Sequence, residues 1–200
     1  MIKQMKWMIA AILLCGTVQS VQAQSDDIKH EIGVSYGGGP LSTWARIGTA
    51  IADAIFEPLG GAKYENTSFF GSLSGEYFYH LDPSVGVGAI VCFSQDNDDI
   101  LIKGQKAGDR TTKFYTFMPA VKWDYLRREH FGMYLKAGAG YSWERVNETY
   151  NGMDETSSSG MFNFQVSLLG LEAGSQHLRG FFELGFGEQG VVLAGARYKF

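Results

Sequence analysis

The chain has 200 residues, room for one ordinary domain, and carries 26 Gly, 4 Pro, 10 Tyr and 14 Phe. Abundant Gly and aromatics with scarce Pro suit a closed sheet, whose hydrogen-bond ladder Pro would interrupt. A net charge of −4 with no basic block argues against nucleic acid as a partner.

Residues 1–23 read as a signal peptide, leaving 24–200 as a single barrel domain. Lys3 and Lys6 precede a short apolar run, Trp7–Cys15, and Val21-Gln22-Ala23 offers a small-residue cleavage site before Gln24. The run falls far short of the roughly 20 residues that a spanning helix needs. Leu14 is a poor neighbour for lipid attachment at Cys15. Cys92 is then the lone cysteine of the mature chain, so no intramolecular disulfide is expected, and it reads as a small packing residue.

His30–Tyr36 alternates, with Ile32, Val34 and Tyr36 opposed by Glu31, Gly33 and Ser35. Ser42–Phe56 then shows helical spacing at Trp44, Ile47, Ile51, Ala54 and Ile55, with Ser42 or Thr43 as cap. This helix is expected inside a long first outer loop. Phe69–Leu81 resumes the alternation, and Asp82-Pro83-Ser84 is a tight turn. Val85–Gln95 follows, and Asp96–Arg110 is polar enough to read as a loop. Thr111–Tyr125 alternates again, with a bulge expected at Pro119, which has no N–H for the ladder. Arg127–His130 is a short turn into Phe131–Glu144. Arg145–Ser159 reads as a second polar loop. Gly160–Ala173 slips register near Leu169, and a bulge at Leu168–Gly170 would bring Glu172 onto the polar face.

Ser175–Leu178 leads into a closing hairpin. Phe182, Leu184 and Phe186 share one face, and Val192, Ala194, Ala196, Tyr198 and Phe200 share another. A three-residue loop, Glu188-Gln189-Gly190, is expected to set Phe186 opposite Val192, with Gly190 in the left-handed region. Eight strands result, with connections that alternate between long and short except at the last hairpin.

The ending Gly195-Ala196-Arg197-Tyr198-Lys199-Phe200 has a Gly, two residues, then apolar-x-apolar with a terminal aromatic. With the eight alternating strands and the loop-length pattern, it resembles the small bacterial outer-membrane β-barrel proteins of OmpA-like architecture. The polar residue common two before the Gly in that family is Leu193 here. The resemblance implies an all-β, eight-stranded antiparallel up-and-down transmembrane barrel in the bacterial outer membrane. It also implies outer-membrane lipid and the barrel-assembly machinery as partners, with Gly195, Tyr198 and Phe200 in the assembly signal.

The alternation leaves open which face meets lipid. The apolar set is rich in Tyr, Trp and Phe, and the opposite set in Gly, Ser, Thr and charge. Large aromatics suit interfacial girdles and small residues suit a narrow interior, so the aromatic face is placed outward. Glu76, Lys122, Asp124, Lys136, Glu183 and Arg197 then form an expected lumen charge network, with Glu183 and Arg197 diagonal neighbours in one hairpin. Glu76 or Glu31 is expected to meet a Lys; the alternative leaves charges near the ends, Glu31 and Lys199, at wet mouths without partners. The four His residues, His30, His80, His130 and His177, fall at the periplasmic end, away from any outer-rim Ser or Asp they could activate. That disfavours a barrel enzyme acting on lipid A or peptides. A soluble lipocalin-like barrel is the other alternative. Asp96, Asp98, Asp99 and Asp109 lack calcium-loop spacing, so no metal, cofactor or catalytic residue is expected. The reading is a structural or surface-interaction protein.

Overall fold

The computed structural model describes residues 28–40, 63–102, 105–150 and 153–200. The expected signal peptide and the expected helix at Ser42–Phe56 lie outside the described residues. Eight strands follow in order: β1 (His30–Gly38), β2 (Lys63–Asp82), β3 (Val85–Ile102), β4 (Gln105–Arg127), β5 (Phe131–Tyr150), β6 (Met153–Gly174), β7 (Leu178–Gly187) and β8 (Val192–Lys199). Each pairs antiparallel with the next, and β8 pairs with β1, so the sheet closes into a barrel. The seam is fastened by reciprocal backbone bonds, from His30 N to Phe200 O and from Phe200 N to His30 O, each 2.8 Å. Among the described residues no helix is long and apolar enough to cross a membrane.

Strand length divides the barrel. β1, β7 and β8 have 9, 10 and 8 residues, close to the roughly 9–11 that a tilted strand needs to span a bilayer. β2 to β6 have 20, 18, 23, 20 and 22. The segments expected as loops, Asp96–Arg110 and Arg145–Ser159, are instead mostly the continuation of these strands. Asp98 pairs with Arg110, Asn97 with Thr111, and Asn147 with Thr156. The expectation failed because a ribbon whose buried inner face carries Asp96, Asp98 and Thr112 needs no apolar face to be a strand. Its backbone ladder and cross-strand polar pairs suffice. Thr111 Oγ1 donates to Asn97 Oδ1 at 3.1 Å, and Thr156 Oγ1 to Asn147 Oδ1 at 3.0 Å.

The apolar face points outward. On β4, Tyr115, Phe117, Val121, Trp123 and Tyr125 are all exposed, whereas Thr116, Met118, Ala120, Lys122 and Asp124 are buried. From Tyr125 to Tyr115, ten residues at about 3.4 Å each and ~40° tilt, the strand climbs roughly 25 Å. That matches the roughly 25 Å apolar band of a membrane barrel, bounded by aromatic girdles. The upper girdle runs through Phe93, Tyr115 and Trp143, which are paired in register. Lower down, Tyr198, Phe200 and His30 stack at 5.8 and 5.3 Å.

Three details differ from expectation. Pro119 causes no bulge: the register through Phe117↔Tyr141 and Ala120↔Gly138 is continuous, and only the ladder between those pairs is interrupted. Here a missing N–H costs a bond without displacing the strand. In the last hairpin Leu184, not Phe186, stands opposite Val192, because the connection through Val191 is longer than a three-residue loop. Arg179, not a neighbour of Glu183, stands opposite Arg197. The slip expected near Leu169 on β6 is present, between Ser167 and Leu169, and it brings Glu172 inward as expected.

Candidate functional site

The inward faces of all eight strands meet in a lumen with three levels. The level at the end of the short turns is ionic. Glu76, Lys122, Asp124, Lys136, Glu183 and Arg197 all lie inside it, each no more than 4% exposed. Glu172 and Arg179 join them, and so do Glu31 and Lys199, against the alternative that left these two unpaired at the mouths. Glu31 is completely buried and takes Lys122 Nζ on both oxygens at 2.8 Å. Lys199 Nζ donates to Glu172 at 2.5 Å. Both ends are drawn in because the opposing strands supply counter-charges across a narrow ring.

Five carboxylates, Glu31, Glu76, Asp124, Glu172 and Glu183, face five cations, Lys122, Lys136, Arg179, Arg197 and Lys199. Burying one such group alone is costly, so the balance and the dense bonding are what make the level tolerable. Arg197 is its hub. Its guanidinium contacts Glu76 and Glu172 at 2.9 Å, Glu31 at 3.2 Å and Glu183 at 3.5 Å. The rings of Tyr134 and Phe181 lie 4.5 and 4.0 Å from its carbon, a cation–π sandwich. The structure thus brings Glu183 and Arg197 together, but Glu183 holds Lys136 more closely, at 2.8 Å. Glu183 also accepts from Tyr134 Oη at 2.6 Å and Ser167 Oγ at 2.5 Å. His80 sits between Glu31 at 3.3 Å and Asp124 at 3.7 Å.

Above the ions lies an apolar layer of Phe78, Ile90, Cys92, Met118 and Ala120. Above that is a polar level that the β7–β8 connection enters from outside. Glu188 and Gln189 are both fully buried there. Glu188 accepts from Asn163 Nδ2 at 2.8 Å, and Gln165 Oε1 accepts from Gln189 N at 2.9 Å. Gly190, at φ +118°, makes the return turn. Gly37 is required on the facing strand, because a Cβ there would collide with the Gln189 carbonyl. Ion network, apolar layer and inserted turn occupy the lumen in series.

Sequence reasoning missed Arg179, Glu188 and Gln189 as lumen residues. Glu172 was read onto the polar face through the register slip before it, and it lies there. The turn residues carried no such signal, since a turn that points inward reads like one that points out. The four His residues lie at the end formed by the short turns. His30 Nδ1 bonds Tyr77 Oη at 2.8 Å, and His130 and His177 meet the carbonyls of Gly174 and Lys199 at 3.2 and 2.9 Å. Among the described residues no group of acidic, His and Cys side chains is arranged to hold a metal. Gly195, Tyr198 and Phe200 lie on or beside β8, with the Tyr198 and Phe200 rings on the outer surface.

No family model matches the sequence, and no curated protein is similar to it. Among solved structures, the chain is similar to Ail, the attachment invasion locus protein of Yersinia pestis, at 15% identity and a TM-score of 0.44. A second structure of that protein, in complex with the heparin analogue sucrose octasulfate, gives 13% and 0.45. In both, 86% of this chain and 97% of the other are covered. By its own architecture, with charges sealed inside the ring and an aromatic-bounded apolar band outside, the chain is an eight-stranded up-and-down transmembrane β-barrel.

Proposed function

We propose that this protein is a bacterial outer-membrane barrel whose role is surface interaction, with neither solute conduction nor catalysis. The observation that carries the reading is the raised sheet. β2 to β6 exceed a membrane span by about ten residues, which lifts them roughly 25 Å beyond the bilayer. β7 pairs with β6 only as far as Gln165↔Gly187. Among the described residues, the stretch of β6 above that point therefore has one edge without a strand partner, and its Glu155–Gly160 side chains are exposed. A sheet with an open edge of small polar residues is a recognition surface that can accept an extended segment by strand addition.

The filled lumen supports the non-conducting part of the reading, because an eight-stranded interior is only wide enough for side chains. We further propose that residues 1–23 are an export signal. Gly195, Tyr198 and Phe200 are read as the recognition element for the barrel-assembly machinery, and the ion network as the lock on the folded ring.

The test has two arms. Fractionation with heat-modifiable gel mobility reports the membrane barrel, and a protein recovered soluble without detergent would refute it. Replacing residues 147–156 by a short turn should leave heat modifiability intact and abolish cell attachment to surfaces bearing extracellular protein. Equal attachment by the shortened variant would refute the recognition role.

A further inference from the structure

The outward face carries a feature that the lumen and the sheet edge do not explain. Lys113 on β4 and Arg145 on β5 stand directly opposite each other in register. Both belong to the outward set, since Thr112 and Phe114 on β4 and Val146 on β5 are buried. Like charges directly opposite on neighbouring strands are destabilising. No carboxylate of the described residues lies within ion-pair distance of either. The adjacent pair on the lower side is Tyr115↔Trp143, the upper girdle itself. Two residues further along strands tilted by ~40° is a rise of only about 5 Å. That height is the headgroup layer, which adds roughly 5–7 Å on each side of the hydrocarbon. Gln95 and Ser158 continue the row on β3 and β6, one on each side of the cations.

We infer that Lys113 and Arg145 form a binding site for the phosphate of an anionic lipid headgroup in the outer leaflet. The planar Arg fork takes two phosphate oxygens and the Lys ammonium a third, so the anion cancels the repulsion between them. Trp143 and Tyr115 below would pack on the upper part of the same lipid's apolar body. This rests on the reading of the barrel as membrane-spanning.

The refolded full barrel in phosphatidylcholine bilayers, with and without phosphatidic acid, is the system to use. Lipid retained after delipidation is read by native mass spectrometry. Wild type should retain phosphatidic acid over phosphatidylcholine. Lys113→Gln or Arg145→Gln should each weaken this preference about fivefold, and the double variant about thirtyfold, from ~1 kcal/mol per cation near a charged surface. Lys113→Arg should keep it. Equal retention by wild type and the double variant would overturn the site. Displacement by inorganic phosphate at matched concentration would overturn the lipid as its source. Should the double variant fail to fold, the single variants read against Lys113→Arg decide. A heat-modifiable barrel with indifferent lipid retention refutes the site alone, whereas a protein soluble without detergent refutes the membrane reading.

Discussion

Replacing Arg197 by Gln removes the cation that touches Glu31, Glu76, Glu172 and Glu183. Five carboxylates then face four cations in a largely buried space. The glutamine amide can still donate to one carboxylate, but the charge of at least one is left uncompensated. Breaking a buried pair from one side costs about 3–5 kcal/mol. The lost sandwich between Tyr134 and Phe181 adds to this, as desolvated cation–π contacts reach about 2 kcal/mol. Arg197→Gln should therefore destabilise the barrel by about 4 kcal/mol or more. Glu76→Gln, made alone, leaves an excess cation and should cost about 3 kcal/mol. The double variant restores the balance, so it should cost less than the sum by about 1–3 kcal/mol. Urea unfolding in detergent micelles, followed by tryptophan fluorescence and by the heat-sensitive gel band, supplies all three values. Additivity within about 0.5 kcal/mol would refute charge balance as the reason these groups can be buried.

Three further outcomes are expected. A cysteine placed at Ser158 in a Cys92→Ser background should react with impermeant reagent on intact cells, and one at Ser84 should not; the reverse pattern would invert the topology. Phe200→Ala should lower the level of folded barrel in cells by more than its in vitro stability loss of about 1–2 kcal/mol implies, since the ring is half exposed; parallel losses would remove the assembly role. Gly37→Val should expel the Glu188–Val191 turn from the lumen, at a cost of about 1–3 kcal/mol from overpacking. Limited proteolysis at that turn checks it, and unchanged protection would show that the turn is not held by this contact.

The strands were legible because alternation is a one-dimensional signal. Val34 and Ser35 announce opposite faces without any knowledge of their neighbours. The same holds for Lys122 and Glu183, which could be assigned to the lumen from their own strands. Their partners could not. Lys122 meets Glu31 from the far end of the chain, and that pairing depends on the stagger of the closed ring. The alternative that left Glu31 and Lys199 unpaired at the mouths fails for this reason, because position along a strand does not report what the opposite wall supplies. The extensions of β3 to β6 escaped for a different reason. Residues such as Asn97, Thr111 and Asn147 alternate polar with polar, so the period-two signal vanishes where water replaces lipid on the outside. The inward fold of Glu188 and Gln189 was invisible, since nothing in a short polar turn encodes its direction.

The seam between β1 and β8 has a consequence for biogenesis. Every other neighbour pair is also consecutive in the chain and could zip as a local hairpin. The pairs Glu31↔Lys199 to Gly38↔Val192 cannot, because they join the first strand to the eighth. Until β8 has been synthesised, β1 has an unsatisfied edge, and no subset of strands is a closed object. Closure is thus a single late event that commits the whole chain at once. A ring built this way has no closed form until its last strand is in place.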